Sequence, residues 1–201
     1  MKSFSFAWIA ANALAFAVGF ALFLFTTERM IGENMNTAFF GHFIGLLLFG
    51  AFLAFVQSLV IRRLQIATGK WILSGIVGFV LVMAVIWPLY LTKIWPADGP
   101  FEPIVISFTA CFFLGLMLFI LYKKQLAGIG KFFLWWVVGT IVGIALSAAL
   151  IIFIVSKMGL PFVIEMAIFT LIIGLVAGLI SSRSVRNLTA RPDMVVADRS
   201  A

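Results

Sequence analysis

The chain has 201 residues, of which 64% are hydrophobic and only 10% are charged, and its mean hydropathy is +1.23. Soluble domains carry about a quarter of their residues as charged side chains, so this composition excludes a soluble globular protein and indicates a membrane protein. The net charge of +7 would favour nucleic-acid binding in a soluble chain. Here the basic residues flank apolar runs, so we expect no nucleic-acid partner.

Six apolar runs, each of at least 20 residues, follow one another along the chain. About 20 helical residues cross a bilayer, and the runs lack the polar alternation of barrel strands. We therefore predict an all-α, polytopic membrane protein whose single domain, residues 1–182, is a six-transmembrane-helix bundle. The predicted helices cover residues 4–26, 37–61, 71–93, 103–122, 132–156 and 160–182, and a basic tail, 183–201, follows. The first run is long for a signal-peptide core, so we predict a retained helix.

The basic residues predict an orientation. Eleven of the 14 fall on the side of the membrane that holds the N-terminus, and three fall on the other side. By the positive-inside rule the first side is cytoplasmic, so we predict a protein of the bacterial inner membrane with both termini in the cytoplasm. The residues expected to contact anionic lipid headgroups are Arg62, Arg63, Lys70, Lys123, Lys124, Lys131, Arg183 and Arg186.

One basic pattern occurs twice. The stretch "IRRLQIATGKW", residues 61–71, and the stretch "YKKQLAGIGKF", residues 122–132, both have a basic pair, a five-residue gap and Gly-Lys, at an offset of 61. Seven residues are identical when 50–82 is aligned with 111–143. An offset that spans two crossings predicts a parallel two-helix repeat, in which the second and third helices are duplicated as the fourth and fifth. We expect Gly69 and Gly130 to permit the tight reversal between helices.

A family resemblance rests on two stretches. "GAFLAFVQSLVIRRLQIATGKWILSGIVG", residues 50–78, resembles the Gly-rich, Gln-then-basic, then-Trp repeat of uncharacterised multi-pass membrane proteins of bacteria. "IFTLIIGLVAGLISSRSVRNL", residues 168–188, resembles their final helix. The second unit departs from the pattern, because Leu118 stands where Gln57 would be and Phe132 replaces Trp71. The resemblance implies a membrane fold and no particular activity.

Small residues recur at four-residue spacing in most of the predicted helices, which lets backbones approach closely. They are Ala7, Ala11, Ala15, Gly41, Gly45, Ser74, Gly78, Gly139, Gly143, Gly174 and Gly178. We predict a compact bundle, and the alternative is that one such strip faces outward and docks another membrane subunit. The aromatic residues Trp71, Tyr122, Trp135 and Trp136 are expected to form an interfacial belt at the cytoplasmic surface.

Two titratable side chains, His42 and Glu165, lie within the predicted spans at similar depth from the outer surface. An ionisable residue at such depth is a candidate for function, so one hypothesis is a proton-sensitive polar pair at an outer-leaflet site. The other is that each side chain reaches the interface or makes a structural hydrogen bond. For Asn12 and Gln57, toward the inner half, we predict an amide hydrogen bond between helices.

The sequence predicts no catalytic residues, no metal site and no cofactor. Cys111 is the only cysteine, His42 is the only histidine, and no second carboxylate accompanies Glu165 within the spans. Metal clusters and paired acid-base chemistry need more than these single groups, so we expect a protein that is not an enzyme.

Two functions fit these features. The first is a non-catalytic accessory, scaffold or assembly subunit that packs against lipids and other membrane subunits. The second is a transport component that captures a small molecule. Six short-looped helices and the strip Ala7, Ala11 and Ala15 are similar to the substrate-binding subunits of energy-coupling-factor transporters, in which such a strip docks the coupling subunit.

Overall fold

A computed structural model describes residues 2–30, 35–92, 102–153 and 155–190. These residues form six α-helices: α1 Lys2–Met30, α2 Met35–Ile61, α3 Thr68–Leu91, α4 Glu102–Tyr122, α5 Ile129–Phe153 and α6 Phe162–Arg186. Five of them are long and apolar enough to cross a membrane, and α4 contains a shorter apolar stretch, Phe108–Tyr122. The prediction of a helical fold with several membrane-length apolar helices is confirmed at this level.

The six helices form a closed ring. Each helix packs against its neighbours in the chain, and α1 also packs against α6, which closes the ring. Consecutive helices run in opposite directions, so α1, α3 and α5 all begin at the same end of the ring. Most of the basic residues lie at this end, which we call the basic end. Because α1 lies between α2 and α6, the first helix contributes to the interior as much as the later ones.

Most helices extend past the apolar runs from which they were predicted. The clearest case is α6, which ends at Arg186 instead of residue 182. The apolar run stops where charge begins, but the helical backbone need not stop there. Arg183 and Arg186 occupy the last turn, where positive charge is favoured by the helix dipole.

The two turns at the basic end use positive backbone φ angles, but not at the glycines that were expected. Gln65, with φ 58°, ends the short 3-10 helix Arg62–Leu64 between α2 and α3. Gly128, with φ 80°, immediately precedes α5. Gly69 and Gly130 lie inside the first turns of α3 and α5, so their predicted role in the reversals is wrong. The pattern of a basic pair followed by Gly-Lys correctly predicted where both turns lie. In each turn, however, the chain reverses before the Gly-Lys pair, which already belongs to α3 or α5.

A small antiparallel sheet ties the segment after α6 to the turn between α4 and α5. Strand β1 is Leu126–Ala127 and strand β2 is Thr189–Ala190, with Leu126 opposite Ala190 and Ala127 opposite Thr189. The side chains of Leu126 and Leu188 are buried beside it. The chain after α6 is therefore fastened across the basic end through Ala190, within the part of the tail that the structure describes.

Candidate functional site

His42 and Glu165, the predicted polar pair, lie on helices that are separated in the ring by α1. His42 is half-buried on α2, and its ring makes an edge contact with Phe23 of α1 at a centroid distance of 5.8 Å. Glu165 is half-buried in the first turn of α6, where the helix dipole favours a negative charge. The pairing of these two residues stays a prediction, and their positions provide each with a local structural role.

A buried hydrogen bond joins Gln57 and Asn12, as predicted. Gln57 Nε2 on α2 donates to Asn12 Oδ1 on α1 at 2.8 Å, and both side chains are fully buried. The predicted amide bond between helices is therefore confirmed. Its physical reason is that lipid tails accept no hydrogen bonds, so two amides at the same depth turn toward each other across the interior.

The amide bond belongs to a longer chain of hydrogen bonds that crosses four helices. Trp71 Nε1 on α3 donates to Gln57 Oε1 at 3.0 Å, and Asn12 Nδ2 donates to the Trp8 carbonyl at 2.8 Å. Trp8 Nε1 on α1 donates to Ser181 Oγ on α6 at 3.0 Å, and that hydroxyl donates onward to a backbone carbonyl of α6. All five side chains are fully buried. We call this set, Trp71, Gln57, Asn12, Trp8 and Ser181, the polar chain.

Three aromatic rings meet where the polar chain crosses the ring of helices. Trp8, Trp71 and Phe132 lie near the starts of α1, α3 and α5, and we call them the aromatic triad. Their ring centroids are 6.4 Å apart for Trp8 and Trp71, 5.9 Å for Trp8 and Phe132, and 5.8 Å for Trp71 and Phe132. Such distances are typical of favourable aromatic pairs. Each odd-numbered helix thus supplies one ring to the centre of the basic end.

The prediction of an interfacial aromatic belt is wrong for three of its four members. Trp71, Trp136 and Tyr122 are at most 1% exposed, and only Trp135 lies on the surface, at 41%. The buried rings donate their polar hydrogens inside the bundle: Trp136 Nε1 donates to the Cys111 carbonyl at 3.0 Å, and the Tyr122 hydroxyl donates to the Ala67 carbonyl. A backbone carbonyl inside the bundle can accept the hydrogen bond of such a ring as well as the headgroup region can.

Sequence reasoning missed Trp8 and Ser181, which continue the polar chain from α1 to α6. One available signal was spacing, because Trp8 precedes Ala11 and Ala15 by three and seven residues, as Trp71 precedes Ser74 and Gly78. This shared spacing would have grouped the first helix with the two predicted repeat units. Nothing comparable in the sequence identifies Ser181 as the acceptor.

The small residues lie mainly at contacts between helices. A Cβ atom added at Gly139 would lie 2.9 Å from Ala177 Cα, and one at Gly78 would lie 3.0 Å from Leu114 Cα. Ala11 and Ala15 of α1 are 7% and 0% exposed. The buried members of the predicted set are Ala11, Ala15, Gly41, Gly45, Ser74, Gly78, Gly139, Gly143, Gly174 and Gly178, and Ala7 is half-buried.

The residues predicted to meet lipid headgroups lie at the basic end, and most are exposed. The exposed ones are Arg62, Arg63, Lys70, Lys123, Lys124, Lys131 and Arg183. Arg186 is half-buried, and its Nε atom is buried with no hydrogen-bond partner among the described residues. Within the described part of the chain, no group of three His, Cys, Asp or Glu residues could hold a metal ion.

No protein-family model matches the chain, and searches of curated proteins and of solved structures found no match either. The resemblance of residues 50–78 and 168–188 to a bacterial membrane-protein family therefore stays a prediction.

Proposed function

We propose that this chain is a non-catalytic, six-span protein of the bacterial cytoplasmic membrane, with both termini inside, which acts as an accessory or scaffold subunit. Five helices have the length and apolar character of membrane spans. The helix α4 has 21 residues, or about 31 Å at the rise of an α-helix, and packs between α3 and α5. Its place in the closed ring supports a sixth span.

The observation that carries the proposal is that the polar chain is satisfied within the bundle. Its indole and amide nitrogens all donate to partners in neighbouring turns or helices, and its side chains are fully buried. Polar groups that bind a substrate or perform chemistry must face a space that the substrate can enter. These groups instead link α3, α2, α1 and α6 by hydrogen bonds, as is expected of a rigid framework.

A duplicated hairpin is part of the proposal. At each of the seven identical pairs of the two units, the two residues share the same degree of burial. Leu53 and Leu114 are buried, for example, while Lys70 and Lys131 are exposed. Matching burial at matching positions supports a repeat of α2–α3 by α4–α5 in parallel orientation.

The surface of the ring suits lipid tails and partner helices. Large apolar side chains are exposed on every helix, among them Phe6, Phe55, Leu73, Ile120, Leu134, Leu146 and Leu179. A transport subunit of the energy-coupling-factor kind would need its small-residue strip free for docking. Ala11 and Ala15 are already buried within the bundle. We therefore favour the scaffold over the transport component.

Site-specific photocrosslinking in native membranes tests the scaffold role. A photoreactive phenylalanine analogue would replace Phe55, Leu146 or Leu179, which are 49%, 53% and 61% exposed, and Leu53, which is 0% exposed, provides the control. We expect a crosslinked protein of one defined mass from at least one surface position and none from the control. Crosslinks to lipid alone, together with a small molecule that copurifies with the chain, would favour the transport component.

Cysteine labelling in intact cells tests the orientation. Arg63→Cys and Lys124→Cys place exposed thiols at the basic end, and Lys157→Cys places one at the opposite end, while the native Cys111 is buried. We expect a membrane-impermeant maleimide to label only the Lys157→Cys variant. Labelling of the first two from outside would reverse the orientation.

A further inference from the structure

A cleft of about 370 Å³ lies at the basic end between α5 and α6. Its lining residues are Lys131, Trp135, Ile180, Arg183, Ser184 and Asn187. Lys131 and Arg183 are exposed cations, and the six lining residues include no acid. Two positive charges therefore line a space whose own walls carry no opposite charge, which favours an anion there.

Backbone groups strengthen this preference on one side of the cleft. Lys131 lies in the first turn of α5, where the amide groups before Phe132 have no partner within the helix and the dipole is positive. On the other side, the end of α6 carries negative partial charge. That end is partly neutralised, because Asn187 N donates to the Ser184 carbonyl and Leu188 N donates to the Val185 carbonyl. Arg183 and Arg186 supply full positive charges beside it.

Trp135 sets this cleft apart from the corresponding place in the other hairpin. The matching residue at an offset of 61 is Ser74, which is 0% exposed, whereas Trp135 is 41% exposed and forms a wall of the cleft. Exposed Trp side chains favour the boundary between hydrocarbon and headgroups. Leu134, at 58% exposure, and Leu179, at 61%, lie one helical turn from Lys131 and Arg183 along α5 and α6. The cleft therefore opens beside an apolar surface that lipid tails can cover.

We propose that this cleft binds the phosphate group of an anionic glycerophospholipid, with Lys131 and Arg183 contacting the phosphate and Trp135 lying against the glycerol region. Ser184 and Asn187 add polar groups at the cleft wall, and its volume falls in the range of small-molecule sites. The site would tie one lipid to the junction of α5 and α6. It rests on the proposed membrane location, but not on the scaffold role.

Native mass spectrometry of the full-length chain in mild detergent tests the site, with phosphatidylglycerol as the probe and phosphatidylcholine as the neutral comparison. The variant is Lys131→Gln with Arg183→Gln. Its matched control is Lys70→Gln with Arg62→Gln, which removes two exposed charges from the same end of the bundle, at the turn between α2 and α3. We expect the phosphatidylglycerol-bound fraction to correspond to at least about tenfold weaker binding in the variant. The control also removes charges that attract headgroups, so we expect it to show only a nonspecific loss of less than threefold. The conservative pair Lys131→Arg with Arg183→Lys should retain binding.

Equal loss in the variant and its control would overturn the proposal, because it would assign lipid preference to the summed charge of the surface. Competition separates a lipid from a soluble ligand. If inorganic phosphate or glycerol phosphate displaces the lipid at a concentration near the lipid's own Kd, the site is one for free phosphate and the lipid assignment fails. Retention of the chain in membranes washed with carbonate tests the proposed membrane location independently of the site. A chain that stays in the membrane but shows no lipid preference rejects only the site.

Discussion

The hairpins α2–α3 and α4–α5 share their burial pattern but differ in how they fill the centre of the ring. In the first, Gln57 accepts a hydrogen bond from the indole of Trp71. In the second, the matching positions hold Leu118 and Phe132, both buried and both apolar. Donor and acceptor are thus present together or absent together. A buried hydrogen-bonding group without a partner costs more than two apolar residues in its place, so the two positions behave as one unit.

A second difference concerns size. Position 75 of the first hairpin is a glycine, against which the backbone of α2 packs closely. The matching position of the second hairpin is Trp136, whose ring fills the space beside Gly115. In the first hairpin Gly75 packs against Ala54, so both residues are small, whereas in the second the ring of Trp136 packs against Gly115. The two hairpins therefore fill their interiors with different pairs of residues.

The largest effect is expected where both hairpins require a glycine. Leucine at Gly139 would push its side chain into the backbone of α6 at Ala177, so we expect a loss of about 3 kcal/mol or more in the free energy of unfolding. Gly78→Leu should behave similarly, because its added atoms meet the backbone of α4. Unfolding by sodium dodecyl sulfate in mixed micelles measures both.

Glycines near the starts of the same helices provide the controls. Among the described residues, none comes within 4 Å of a Cβ atom added at Gly69, and the nearest atom at Gly130 is a Phe119 ring carbon at 3.6 Å. We expect Gly69→Ala and Gly130→Ala to change stability by less than about 1 kcal/mol. Because Ala favours a helix more than Gly does, comparable losses at all four positions would show that close backbone approach is not the cause of the losses at Gly78 and Gly139.

The polar pair of the first hairpin, Gln57 and Trp71, can be converted in two steps to the apolar pair found at the matching positions of the second. Gln57→Leu removes the acceptor for Trp71 Nε1 and the donor for Asn12 Oδ1, so we expect a loss of about 2 kcal/mol. Trp71→Phe also costs stability, because it removes part of a fully buried ring. The double variant copies the second hairpin and should cost about 1 kcal/mol less than the sum of the single variants. Strict additivity would contradict the linkage of the two positions.

The helical class and the amide pair could be predicted from the sequence, whereas the closure of the ring could not. Long uncharged runs dictate helices in lipid, and Asn12 and Gln57 had few other partners at their depth. That α1 packs on α6 depends on contacts between the two ends of the chain, and no local periodicity encodes it. Buried Trp71 and Trp136 were mistaken for surface residues because a Trp near a span end has the same sequence context in both places.

The smallest expected effect concerns a hydrogen bond from α4 of the second hairpin to the turn of the first. The Tyr122 hydroxyl donates to the carbonyl of Ala67, and the matching residue of the first hairpin is Ile61, which has no such group. Tyr122→Phe removes this bond and leaves the ring in place. We expect a loss of about 1 kcal/mol, and less if water replaces the hydroxyl at the exposed Ala67.

Hydrogen exchange shows whether that bond stabilises the turn between α2 and α3. Because the hydroxyl reaches another turn, Tyr122→Phe should speed amide exchange in residues 62–68, which precede or begin α3. The control is Ser182→Ala, which removes a hydroxyl that donates to the Leu179 carbonyl of its own helix. Unchanged exchange in residues 62–68 would show that the turn is held by its own 3-10 helix and by Gln65, so that the two hairpins pack as neighbours without a polar link at this end.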